Sequence, residues 1–98
     1  MNAVKLVDTR VVYPERAFAD LVVWKVARPV SASAHAFKYR LAFVVEGICV
    51  IRFDNEAGNG DHIHSDGVEN PYRFISPDQL IADFQKAIAR WNDENSHS

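Results

Sequence analysis

The chain has 98 residues, 48% hydrophobic and 24% charged, enough to bury one modest core, so a single domain spanning 1–98 is expected. A formal net charge of −2 and a pI near 6.0 exclude the strongly basic balance of a non-specific nucleic-acid binder. The lone cysteine, Cys49, excludes an intramolecular disulfide.

In chain order, residues 4–13 are rich in valine and read as a strand, ended by Pro14-Glu15. A flat edge there could pair with a second copy of the chain. Residues 17–27 form a second strand, apolar on both parities around 21–24 and therefore expected in the middle of a sheet. Residues 28–34 (RPVSASA) are a connector. Residues 36–45 alternate apolar Phe37, Tyr39, Leu41, Phe43 and Val45 with Lys38 and Arg40, the period-two pattern of a strand with one buried face. Residues 48–54 follow, with Cys49, Ile51 and Phe53 on one face and Arg52 and Asp54 on the other. The apolar surroundings of Cys49 predict a buried, inert thiol.

The turn between these two strands sets their register. A two-residue Glu46-Gly47 turn requires positive φ at a glutamate, so a three-residue loop, 45–47, is expected. That loop pairs Arg40 with Arg52 and Lys38 with Asp54, and gathers four charged residues on one face. Like charges directly opposite each other cost stability, a cost that a shared anion would offset.

Residues 55–67 are polar and glycine-rich and read as a loop, in which Gly58, Gly60 and Gly67 could form an anion-binding backbone nest. Residues 71–75 offer a short fifth strand. Ser76-Pro77-Asp78-Gln79 then carries an N-cap, a first-turn proline and the glutamine of a capping box. Leu80, Ile81, Phe84, Ala87, Ile88 and Trp91 follow at helical spacing. The fold class is therefore α+β: an antiparallel sheet of four to five strands with one C-terminal helix on one face. The polar tail 92–98 has nothing to pack and is expected to be disordered. No apolar leader is evident, and no apolar run reaches the ~20 residues of a membrane span, so a cytoplasmic protein without membrane partners is expected.

The chemistry concentrates in residues 52–64, RFDNEAGNGDHIH. In an extended segment His62 and His64 project to the same side. Paired imidazoles serve as general acid and base in phosphodiester cleavage, and cations stabilise charge on the phosphoryl oxygens. The candidate catalytic residues are His62 and His64, with Asp54 or Asp61 orienting an imidazole. Lys38, Arg40 and Arg52, with Tyr39 and Asn55, are the candidate substrate contacts. A metal reading of the two histidines needs a third ligand from Asp54, Asp61, Asp66 or His35, and no spacing is diagnostic. No metal or other cofactor is therefore assigned.

The runs 35–41 (HAFKYRL), 52–56 (RFDNE), 58–64 (GNGDHIH), Pro71-Tyr72 and 80–84 together resemble the TumE-like family of small bacterial toxins from toxin–antitoxin pairs. The resemblance covers roughly residues 21–91. It implies a cytoplasmic toxin neutralised by a cognate antitoxin, typically a small helix-turn-helix protein. Residue types and the prevalence of ribonucleases among such toxins add the expectation of a metal-independent ribonuclease acting on RNA. Two alternatives stand beside it: a non-enzymatic binding module using the basic hairpin face, or a metal-binding protein built on His62 and His64.

Overall fold

The computed structural model describes residues 3–55 and 60–95. Six strands, β1 (Val4–Tyr13), β2 (Ala17–Lys25), β3 (Phe37–Val45), β4 (Ile48–Asp54), β5 (His62–Ser65) and β6 (Val68–Pro71), precede one helix, α1 (Pro77–Asn95). The strands form one antiparallel sheet in chain order, β1 to β6. The α+β class and the single C-terminal helix match expectation. The sheet has six strands rather than four or five.

Alternation explains the layering. Ala19, Leu21 and Val23 of β2, Tyr39, Leu41 and Phe43 of β3, and Ile51 and Phe53 of β4 are buried with Leu80, Phe84 and Ile88 of α1. The intervening strand residues lie on the opposite face, which no helix covers. Ser76 caps α1 as its sequence predicts, its Oγ accepting the Gln79 N–H at 3.1 Å. The reciprocal half of the capping box does not form, because the Gln79 amide donates to Asp83 instead. The helix runs through Asn95, past the expected start of the tail; residues 96–98 lie outside the described residues.

Several expectations are corrected. The β3–β4 turn is the two-residue Glu46-Gly47 type, with φ of 50° and 81°. This is the primed geometry that matches strand twist, and Glu46 is held in it by its N–H donating to the Arg16 carbonyl. A bulge at Val50 follows, between the Val44–Cys49 and Phe43–Ile51 pairs. Arg40 therefore lies opposite Asp54, and Arg52 opposite Ala42. The Arg40–Arg52 and Lys38–Asp54 pairs do not exist.

The same bulge reverses Cys49 relative to Ile51, so Cys49 is exposed rather than buried. The stretch expected to loop over 55–67 contains β5, and β6 follows at Val68–Pro71; the strand expected over 71–75 does not form, since 72–75 carry no strand pairing. The β5–β6 connection is a two-residue Asp66-Gly67 turn, both residues at positive φ. Gly58 of the suggested nest lies outside the described residues. Finally, β2 is second from the edge, not central, though it is paired on both sides.

Candidate functional site

The register of the four C-terminal strands assembles a polar row on the helix-free face. Arg40 pairs with Asp54, Asp54 with His62, Arg52 with His64, and His64 with Glu69. Paired residues share a face, so five strand positions from β4 to β6 present Arg52, Asp54, His62, His64 and Glu69 together.

Asp54 and His62 form the buried centre, at 2% and 4% exposure. His62 Nδ1 donates to the Gly60 carbonyl at 2.9 Å, which leaves Nε2 facing Asp54 Oδ1 at 2.8 Å. Arg52 Nε sits 2.8 Å from Asp54 Oδ2. Both contacts are close but off the hydrogen-bond axis, so Arg52 Nε and Asp54 Oδ1 remain buried polar atoms without an aligned partner among the described residues. His64 is more open; its Nε2 lies 3.0 Å from Glu69 Oε1. The two imidazoles meet edge to face at 5.2 Å between centroids.

Gly60 makes this arrangement possible. Its φ is 72°, and a Cβ there would press on the Ala32 carbonyl at 3.1 Å. A side chain would push the 60–62 backbone away from the connector, and with it the carbonyl that orients His62.

Asp61 does orient an imidazole, but that of His35 rather than His62 or His64. Its Oδ1 accepts from His35 Nε2 at 2.8 Å and from the Tyr39 hydroxyl at 2.6 Å, and its Oδ2 from Ser33 at 3.3 Å. His35 Nδ1 accepts the Phe37 N–H, which assigns the proton to Nε2, and the ring stacks on Phe74 at 3.8 Å. Tyr39 and Asn55 belong to this second assembly. Tyr39 is buried; Asn55 is fully enclosed, accepting from the Tyr39 N–H and donating to the Phe37 carbonyl and Ser33 Oγ. Neither presents a group to a ligand on the helix-free face. Together they tie the connector to the ends of β3 and β4.

Burial first, and then the hydrogen bond to Asp61, pushes the Tyr39 phenol far above the ordinary tyrosine range. Burial and Asp83 push Tyr72 the same way. The folded chain thus keeps protons that the unfolded chain releases near pH ~10. That stabilisation is complete below pH ~10 and is lost as pH rises further. Urea midpoints are expected to fall above pH ~10, and Tyr39→Phe to make that fall shallower. An identical alkaline slope in the variant would show that Tyr39 contributes nothing to it.

Lys38 and Arg40 lie exposed on the helix-free face. Unlike Lys5, Arg10 and Arg52, which pair with Asp8, Asp20 and Asp54, they have no ion-pair partner among the described residues. Arg40 helps line a shallow groove of about 400 Å³ with Asp8, Arg10 and Asp20. The hydrogen bond from Arg10 holds the Asp20 carboxyl below the usual range. A larger groove, about 760 Å³, lies elsewhere, between α1 and β4–β6. His62 instead borders a shallow 270 Å³ recess with Asp61, Glu69, Asn70 and Pro71, and His64 a smaller one of about 140 Å³ with Cys49, Arg52 and Asp66.

Glu69 is the site residue that sequence reasoning missed. Its signal was the Asp66-Gly67 dipeptide, a strong two-residue hairpin turn, which places Glu69 opposite His64. No helix among the described residues is long and apolar enough to cross a membrane.

The fold and site define a small α+β protein whose sheet has one helix-covered face and one face bearing imidazoles, carboxylates and exposed cations. The family described as Toxin TumE matches residues 3–92, and the chain belongs to that toxin family. No curated protein and no solved structure matches it.

Proposed function

We propose that the chain is the toxin of a toxin–antitoxin pair and that it cleaves RNA on the helix-free face of its sheet. The observation that carries this reading is the placement of two cations without an ion-pair partner among the described residues, Lys38 and Arg40, on the same face as an accessible imidazole, His64. Lys38 and Arg40 engage phosphate, and Arg52 adds positive charge beside the reacting group. His64, backed by Glu69, is the group able to move a proton to or from a ribose hydroxyl or leaving oxygen. His62 is too enclosed to reach substrate; with Asp54 it acts as a positioning residue. The antitoxin that the family implies, a small helix-turn-helix protein, would control the toxin. The exposed apolar edge of β1, with Val4, Leu6, Val11 and Val12, is a candidate pairing edge for a second copy.

The test is expression of the wild type and of His64→Ala, with growth as the readout, followed by incubation of the pure proteins with RNA. The wild type is expected to arrest growth and cleave RNA. His64→Ala is expected to lose at least ~100-fold in cleavage. Lys38→Ala/Arg40→Ala is expected to retain the fold but weaken RNA binding and flatten its salt dependence by about 1.4 in slope, for two phosphate contacts on a single strand. Equal growth arrest by wild type and His64→Ala would sink the catalytic assignment. Binding without product would favour the non-enzymatic module, the reading that the pI near 6.0 supports.

A further inference from the structure

We propose that Asp54, His62, His64 and Glu69 form a binding site for a divalent transition-metal ion, with zinc the ion that a four-donor site of two imidazoles and two carboxylates suits. The inference concerns the cluster described above and does not rest on the RNA-cleavage reading.

Three of the four donor atoms are already gathered, and the fourth, Asp54, adjoins them through His62. One ligand atom each from His62, His64 and Glu69 lies within 4.8 Å of the others. His64 Nε2 is 3.0 Å from Glu69 Oε1, and His62 Nε2 is 4.0 Å from Glu69 Oε2 and 2.8 Å from Asp54 Oδ1. Donors about 2.0–2.2 Å from a tetrahedral ion sit roughly 3.3 Å apart. The observed separations bracket that spacing. The adjustment falls on Glu69, which is exposed and free to swing, and on the Asp54 carboxylate, which stands outside the 4.8 Å group and must turn towards it.

The surroundings are those of a metal site. The ring N–H of His62 that does not face the cluster donates to the Gly60 carbonyl. This fixes the tautomer with Nε2 as the donor atom and is the usual arrangement behind a ligating imidazole. The Nε2 lone pair then faces a carboxylate oxygen at 2.8 Å. Two electron pairs at that distance require a cation between them. A proton would align the two atoms in a hydrogen bond, yet Asp54 Oδ1, although buried, has no aligned partner among the described residues. An ion displaced towards His64 and Glu69 accounts for both the short contact and the misalignment. Arg52, on the other oxygen of Asp54, would hold the carboxylate in place from behind. The two carboxylates neutralise the dication. The shallow recess over His62 and Glu69 supplies the entry path.

The donors come from three consecutive strands, β4, β5 and β6, so the ion would pin the short β5–β6 hairpin to the rest of the sheet. It would also occupy the His64 lone pair. In the ion-loaded form His64 no longer moves a proton, and cleavage by the route proposed above would respond to chelator.

The test uses the full chain, freed of metal with chelator and titrated with Co²⁺, which reports four-coordinate binding through its visible ligand-field bands, and then with Zn²⁺ in competition. Binding of one equivalent, displaced by Zn²⁺, is expected. His64→Ala and Glu69→Gln alter partly exposed side chains and are expected to fold. Each is expected to weaken Zn²⁺ binding by more than about 100-fold, and Arg52→Met, which removes only the outer support, by about 10-fold. Cys49→Ser, an exposed thiol on the same face, is expected to bind as wild type. Absence of saturable binding by the wild type, equal binding by His64→Ala and Glu69→Gln, or loss of binding in Cys49→Ser would each overturn the proposal. RNA cleavage is not a readout of this titration, so its outcome and that of the catalytic assignment are separable.

Discussion

Replacing Asp54 by alanine is expected to lower the unfolding free energy by about 2–4 kcal/mol, measured by urea denaturation in the presence of chelator so that no ion contributes. Asp54 is almost fully enclosed, with Arg52 on one oxygen and His62 on the other. Removing one partner of a buried ion pair costs ~3–5 kcal/mol, because the remaining charge is left uncompensated. Two features hold the loss below the top of that range. The Arg52 side chain is 32% exposed and can turn to water. His62 keeps its hydrogen bond from Nδ1 to the Gly60 carbonyl. For a domain of this length the loss corresponds to a fall of roughly 10–25 °C in Tm. Asp54→Asn keeps the volume and one acceptor and is expected to lose less. A midpoint within about 0.5 kcal/mol of the wild type for Asp54→Ala, the spread of ordinary surface substitutions, would show that the triad adds nothing to the fold.

The effect depends on a pairing that the sequence reveals only in part. Arg40, Arg52 and Asp54 were legible as neighbours on one face despite an incorrect register. The true register differs by two residues from the expected one, and a shift of two preserves side-chain parity. What changed is who opposes whom. The like-charge Arg40–Arg52 opposition became Arg40–Asp54, and a cost became a favourable neighbour. Helix α1 was legible because its signals are local: the Ser76 cap, Pro77, and the spacing of Leu80, Phe84 and Ile88, all three buried.

Strands β5 and β6 are four residues each, mostly polar and half-exposed, so no apolar alternation marks them. Only the Asp66-Gly67 turn betrays the hairpin, and without it Glu69 has no reason to join the histidines. Asp61 shows the opposite failure. Its adjacency to His62 in sequence suggested a shared site. The segment before β5 carries its carboxylate instead to His35 and Tyr39, a meeting of residues 22 to 26 positions apart that local pattern does not encode.

Asn55 tests that second assembly. Asn55→Ala is expected to cost about 3–4 kcal/mol, read as a lower urea midpoint. The amide is fully buried and satisfies the Tyr39 N–H at 3.0 Å, the Phe37 carbonyl at 2.7 Å and Ser33 Oγ at 3.2 Å. Each buried partner left unpaired costs ~1–3 kcal/mol, and Ser33, bonded also to Asp61, is the one able to compensate. Asn55→Asp sharpens the point, because it keeps the shape and the acceptor for Tyr39 but replaces the amide donor with a carboxylate oxygen. That oxygen would face the Phe37 carbonyl across 2.7 Å in a site closed to water, so the aspartate is expected to be at least as damaging as the alanine. A substrate-binding Asn55 would behave differently: its variants would unfold normally and lose RNA affinity. A structural Asn55 gives the reverse, a large loss of stability with unchanged affinity per folded molecule, measured at a temperature where the variant remains native. The distinction matters for the site because Asn55 follows Asp54 directly. Holding the backbone at the end of β4 is what keeps the Asp54 carboxylate beneath His62.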